Sequence, residues 1–313
     1  MSRWLRSAFA LAILGTSTVA QTSYPLTVNN CGADVVFSAV PQRVVAIKSN
    51  AVELLLALGL EDRIAAVAFQ DGPVPEPWAG AAAGLQVLSD KLPAQEVVLE
   101  ADPDFVYGGW ESNFVGDGAG ERLSWAALDV PTYVTPAACR SVRPPALTFD
   151  HVFAEIREMG RIMDAEVAAE ALVSEQQAQL AAVNADERNL TAVWYSSGTK
   201  TPYVGAGSNA PAMIMNSLGL TNMFADVDDG WISASWEAIA DADPEVIVLV
   251  DAAWNSAEQK RKLLAENPIT SQMSAVRNER YLVIPFPASE AGVRNVPAVA
   301  DLATQLISLD FPE

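Results

Sequence analysis

The sequence predicts an α/β protein of two Rossmann-like lobes with parallel sheets, joined by one long helix. Three observations carry that expectation. Residues 96–106 read EVVLEADPDFV and residues 237–247 read EAIADADPEVI, each with a glutamate seven positions before a proline. Short apolar runs rich in β-branched residues alternate with segments of helical apolar spacing, the pattern of a parallel sheet crossed by helices. Between the two copies of that pattern lies a proline-free stretch, 147–184, with apolar residues at helical intervals.

The elements follow in order. Arg3 and Arg6, the apolar run AFALAILG (8–15) and the small residues Thr18 and Ala20 form a secretory signal, with cleavage expected after Ala20. The apolar run is too short to cross a bilayer, and no cysteine stands at the cleavage site to take a lipid. The remainder, roughly 290 residues, suffices for one large or two ordinary domains.

An N-terminal lobe is expected over 21–146. RVVAI (43–47) reads as a strand ending in the polar loop KSN, and AVELLLALGL as a helix that stops at Gly59. IAAVAF (64–69) is a second strand, AQEVVLEA a short helix, DFVYGG a third strand, and WAALDVPTYVT a further helix-to-strand step. The connector, 147–185, is predicted to be one helix capped near Thr148 and Asp150, with Val152, Phe153, Ile156, Met159, Ile162 and Met163 on its apolar face.

A C-terminal lobe over 186–313 repeats the order. TAVWYSSG (191–198) parallels the first strand and its loop. MIMNSLGLTNMF (213–224) parallels the first helix, with Gly219 where Gly59 stood, and EAIADADPEVIVLV (237–250) parallels the segment at 96. In each ADP[DE] the proline ends a helix and launches a strand.

Composition narrows the function. The formal charge of −20, or −22 without Arg3 and Arg6, repels nucleic acid. Cys31 and Cys139, the only cysteines, are expected to form a disulfide in an oxidising compartment. His151 is the only histidine and sits in the amphipathic start of the connector, so no metal site is expected. The glycine-rich GDGAGE (116–121) and GAGSNA (205–210) lack the G-K-[ST] of a phosphate loop and read as turns. G-x-S-x-G and H-E-x-x-H are absent. A carboxylate pair could still do acid–base work, but no residues are nominated as catalytic and no cofactor is expected.

In open α/β sheets, ligands sit beyond the carboxyl ends of the strands. The residues expected there are Lys48, Ser49 and Asn50; Phe69, Gln70 and Asp71; Trp110, Glu111, Ser112 and Asn113; Trp194, Tyr195 and Ser196; Trp254 and Asn255; and Phe286. Trp231 lies in the loop DVDDGWIS. For each aromatic the plain alternative is core packing; their recurrence at strand ends in both halves favours a cleft for a flat or ring-bearing ligand. The chain has five lysines. Lys48 follows the first strand, Lys91 precedes the helix in LSDKLPAQE, and Arg294 lies in AGVRNVP. In so acidic a chain these three are the expected receptors for an anionic group, surface placement being the alternative.

The ordered combination of QRVVAIKSNAVELLLALGLEDRI, the two glutamate–proline segments and the long connector resembles the periplasmic substrate-binding proteins for iron–siderophores, haem and cobalamin. The resemblance covers essentially the whole mature chain. It implies a monomeric periplasmic receptor, without membrane insertion, that encloses a small-molecule ligand between its lobes and delivers it to the permease of an ABC importer. It also implies that Glu96 and Glu237 dock onto permease arginines; the alternative is that each merely complements a helix N-terminus. YPLTVNNCG, LSDKLPAQE, YGGWESN with DGAGER, and YVTPAACR are similar to the subgroup assigned to a deazaflavin coenzyme precursor, a flat, phosphate-bearing ligand, and the paired cysteines belong to that pattern. Cobalamin or a ferric siderophore suits the aromatics nearly as well, whereas zinc or manganese suits a one-histidine chain badly. The competing class is an exported α/β enzyme acting on a bulky aromatic substrate.

Overall fold

A computed structural model describes residues 22–311; the secretory segment expected at 1–20 lies outside the described residues. The N-terminal lobe opens with a hairpin, β1 (Leu26–Asn30) and β2 (Ala33–Phe37), which the strand patterning above did not include. Its two-residue turn is Cys31–Gly32, with φ of 54° and 78°, the backbone that lets a right-twisted hairpin close. Then come β3 (Val44–Ile47), α1 (Ser49–Ala57), β4 (Ile64–Ala68), α2 (Glu76–Ala82), β5 (Val87–Ser89), α3 (Gln95–Leu99), β6 (Phe105–Gly108), α4 (Arg122–Ala126) and β7 (Thr132–Val134). Strands β3 to β7 form one parallel sheet in the order β5-β4-β3-β6-β7. All four residues of β3 are buried, because layers cover both faces of a central parallel strand.

The connector is not one helix. It divides into α5 (Phe149–Ile162) and α6 (Glu166–Ala181), with Asp164 between them at φ 51°. Thr148 caps α5 as expected, its hydroxyl accepting from the His151 N–H. The chain then folds back on itself. Arg157 reaches Glu170 at 2.8 Å, and a Cβ on Gly160 would lie 2.5 Å from that of Ala169, so this glycine permits the crossing. Ile156, Met159, Met163, Ala169 and Val173 all enter the core cluster shared by the lobes. One straight helix could not turn all of them to that core; periodicity alone does not register a three-residue reversal.

The C-terminal lobe contains β8 (Thr191–Ser197), β9 (Tyr203–Gly205), α7 (Ala210–Ser217), β10 (Thr221–Asn222), β11 (Trp231–Ser233), α8 (Trp236–Ala242), β12 (Val246–Asp251), α9 (Ala257–Glu266), α10 (Ser274–Arg277), β13 (Tyr281–Pro285), α11 (Phe286–Ser289) and α12 (Asn295–Ile307). Its sheet runs β11-β9-β8-β12-β13, with β10 also paired to β8. The parallel set β10-β8-β12-β13 has the same strand order as β4-β3-β6-β7, so the duplicated sequence pattern corresponds to duplicated topology. The added antiparallel strands β9 and β11 were outside that pattern.

Candidate functional site

The carboxyl ends of β3, β6, β7, β8 and β13 lead into the walls of one cavity of about 610 Å3 between the lobes. Asn50, Trp110, Thr135 and Arg140 come from the N-terminal lobe; Ser196, Tyr203, Trp231, Phe286 and Glu290 from the C-terminal lobe. Trp231 is on β11, paired with β9, and its ring stacks on Tyr203 at 5.8 Å and 13°. Across the cleft, Trp110 meets Phe286 edge-to-face at 6.5 Å. Trp110 also donates its indole N–H to Glu290 at 2.9 Å.

The predicted site residues separate into several groups. Asn50, Trp110, Trp231 and Phe286 line the cavity. Asn50 also donates to the Thr135 hydroxyl and the Ala291 carbonyl, both at 3.3 Å, tying the lobes together. Its approach requires Gly109: a Cβ there would fall 1.9 Å from the Asn50 Oδ1. Phe69 is one layer behind, edge-on to Trp110 at 6.3 Å. Ser49 is buried, and its hydroxyl accepts from the Asp71 N–H. Asn113, also buried, accepts from the Trp110 N–H at 2.9 Å and so fixes the turn that presents the indole.

Lys48 does not face the cleft. It is 1% exposed and ion-paired with Asp71, with its ammonium 3.6 Å from the Trp110 ring centre and 4.3 Å from that of Phe69. Burial pulls its pKa down, opposed by Asp71; burial likewise raises Asp71, opposed by Lys48. Arg294 is held by the buried carboxylate of Glu53, and Lys91 is exposed outside the cavity lining. All three expected anion receptors are therefore corrected. Two are consumed by carboxylates that the strand-end pattern did not pair with them.

Trp194 and Tyr195 are corrected as well. They are 0% and 1% exposed, facing opposite cores, because β8 runs on to Ser197 where it meets β9. Only Ser196 from this stretch reaches the cavity. Trp254 stands 62% exposed outside the lining, its ring edge against Phe286 at 5.9 Å. Glu111 is turned to the main chain, accepting the N–H groups of Arg140 and Ser141.

Strand-end logic missed the segment from Cys139 to Leu147, which supplies one wall of the cavity. Its arginines, Arg140 and Arg143, are the cations that line the cleft. The sequence signal for these cations was the run CRSVRPP, two arginines in a proline-bearing loop just past a strand. Arg143 pairs with Asp228 at 3.1 Å. The wall is anchored by the Cys31–Cys139 disulfide, which closes a separation of 108 residues and ties it to the hairpin turn. Glu290 lines the same cavity; burial first, then the Asp71 charge, raise its pKa to about 6 against the Trp110 hydrogen bond and the Lys48 charge.

Glu96 and Glu237 are exposed, each in the first turn of its short helix, α3 and α8. Among the described residues no cluster of three or more His, Cys, Asp or Glu side chains could hold a metal ion, and no helix is long and apolar enough to cross a membrane.

The periplasmic binding protein family matches residues 44–288. An uncharacterised ABC transporter substrate-binding lipoprotein of Bacillus subtilis is 24% identical over 299 residues, covering 93% of this chain and 88% of its own. The vitamin B12-binding protein of Pectobacterium atrosepticum is 25% identical over 271 residues, covering 76% of this chain and 91% of its own. The crystal structure of an ABC-type Fe3+-hydroxamate transport system from Saccharomonospora viridis superposes with a TM-score of 0.78 at 26% identity, over 90% of this chain and 99% of that one.

Proposed function

The chain belongs to the periplasmic binding protein family, and from that premise we propose that it captures a bulky, anionic, ring-bearing metabolite between its lobes and hands it to an ABC importer permease. Proteins of this kind are the substrate-binding components of ABC importers and not enzymes, which leaves the cleft the task of recognition alone. The observation that carries the ligand reading is the cavity of about 610 Å3 with aromatic residues from both lobes in its walls, Trp110 from one and Tyr203, Trp231 and Phe286 from the other. Its volume suits a ligand of cofactor size, and flat aromatic faces favour a planar ring. Arg140 supports an anionic substituent. A phosphorylated deazaflavin coenzyme precursor meets both requirements and is the ligand we favour.

Cobalamin is the second reading, favoured by the relative named for vitamin B12 binding; a ferric siderophore is the third, favoured by the hydroxamate-system neighbour. Glu96 and Glu237, exposed on equivalent short helices of the two lobes, are the residues we assign to the permease. Native mass spectrometry of the exported protein, purified without denaturation, tests the ligand. A retained phosphorylated deazaflavin supports the assignment. A retained cobalamin or ferric siderophore replaces it, and a retained sugar or peptide removes the ring-bearing class altogether.

A further inference from the structure

Arg140 differs from the other cations considered for the cleft, of which Lys91 lies outside the cavity lining. Lys48 and Arg294 are neutralised by Asp71 and Glu53, and Arg143 is paired with Asp228. Among the described residues the Arg140 guanidinium makes neither a hydrogen bond nor an ion pair, yet it lines the cavity. Its main chain, in contrast, is held from three sides. The residue before it is cross-linked to Cys31. The Glu111 carboxylate accepts both its N–H and that of Ser141, the latter at 2.7 Å. The Ser141 hydroxyl donates to the Cys31 carbonyl at 2.8 Å.

Arg140 is exposed at the cleft wall, and a backbone fixed this firmly beneath a solvent-facing guanidinium with no protein partner is the arrangement of a preorganised receptor, since ordering is completed before the ligand arrives. We propose that Arg140 is the specificity-determining residue for the anionic group of the ligand, and that Glu111 is a positioning residue that holds it at the cleft wall. This rests on the receptor reading above. Both N–H donors of the wall meet one carboxylate, so Glu111 contributes its charge to the backbone and not to the guanidinium. Burial opposes that charge, yet the hydrogen bonds from Ser141 and Arg140 hold the carboxyl below its ordinary range. Guanidinium forks match phosphate and carboxylate oxygens in two parallel bonds, so either group meets the requirement.

Flavin mononucleotide and riboflavin, which share a ring system and differ by one phosphate, separate recognition of the anion from recognition of the ring. Both are titrated by tryptophan quenching into the mature protein freed of retained ligand. The expected result is flavin mononucleotide binding about tenfold or more tighter than riboflavin, as a charge-assisted pair implies. Arg140→Ala brings the phosphate form down to the level of riboflavin, and Arg140→Lys keeps part of the difference. Glu111→Ala narrows the difference, whereas Glu111→Gln, which keeps an acceptor for the two N–H groups, preserves most of it. If Arg140→Ala leaves the difference intact, or the parent protein binds both flavins equally, the assignment of Arg140 is overturned while the ring-binding reading stands. If Glu111→Ala weakens both flavins alike, its role is structural only and the positioning claim falls. If neither flavin binds, the flavin-like ligand reading is lost, and the inference with it.

Discussion

The guanidinium of Arg294, at the start of α12, grips both carboxylate oxygens of Glu53 in α1, 241 residues earlier in the chain. Glu53 is 1% exposed, so the pair is a buried ionic link from one lobe to the other. The same guanidinium donates to the Pro73 carbonyl at 2.8 Å. Trp110 to Glu290 and Asn50 to Ala291 cross the same boundary. The segment 286–295 therefore clasps the N-terminal lobe at several points.

Arg294→Ala leaves the Glu53 carboxylate buried without a partner and is expected to destabilise the protein by about 3–5 kcal/mol. Replacing both residues, as Glu53→Gln with Arg294→Met, should recover most of that loss. Urea unfolding of the two single variants and the double variant checks it. Additive effects would show that the link contributes no coupling.

Lys48 and Asp71 make a second buried pair, here inside one lobe. Lys48→Met should cost about 3–5 kcal/mol, because Asp71 is then stranded, and Asp71→Asn added to it should restore stability. Lys48→Met also removes the ammonium packed against Trp110 and Phe69, so tryptophan emission should shift. A change within about 0.5 kcal/mol, the range of ordinary surface substitutions, would contradict the burial of this charge.

Glu155 on α5 is buried and accepts a hydrogen bond from the Tyr107 hydroxyl at 2.8 Å. Burial raises its pKa from 4.5 to about 7, with a further rise from the Glu158 charge and opposition from the Tyr107 and Thr135 hydrogen bonds. Between those values the folded state binds more protons than the unfolded one, so stability falls as pH rises through that window. The shift corresponds to at most about 3 kcal/mol. Glu290, raised to about 6, acts in the same direction over the lower part of the range. Glu155→Gln keeps an acceptor for Tyr107 and should flatten the decline of Tm between pH 4.5 and 8. Parallel Tm profiles for parent and variant would reject this account.

The Cys31–Cys139 cross-link spans 108 residues, and its loss is expected to cost up to about 4.7 kcal/mol in the chain-entropy treatment. Thiol titration of the denatured, unreduced protein should detect no free thiol, and reduction should lower Tm. Two titratable thiols before reduction would end the claim.

Charge reversal tests the docking assignment. Glu96→Arg or Glu237→Arg should leave ligand affinity within about twofold, a shift below roughly 0.4 kcal/mol. Uptake through the permease should drop sharply, since like charges then meet at the interface. Weakened ligand binding with unimpaired uptake would place these residues on the wrong face.

Local pattern alone determined the repeat. Each glutamate–proline segment became a helix, a turn and a buried strand, α3 with β6 and α8 with β12, because amphipathic spacing, a proline and a β-branched run act within a few residues of one another. The two cysteines were likewise legible, there being one way to pair them. Tertiary structure alone decided which charges remain available. Lys48 and Arg294 look like ligand receptors until Asp71 and Glu53 come within hydrogen-bonding reach, and those partners are 23 and 241 residues away. Trp194 and Tyr195 looked like strand ends until β9 extended β8 past them. The connector became two helices where packing against one core outweighed helical periodicity. Arg140, an ordinary arginine in a loop, was left lining the cleft with its charge unpaired, because neutralisation is settled by distance in space, to which neighbours in the sequence give no guide.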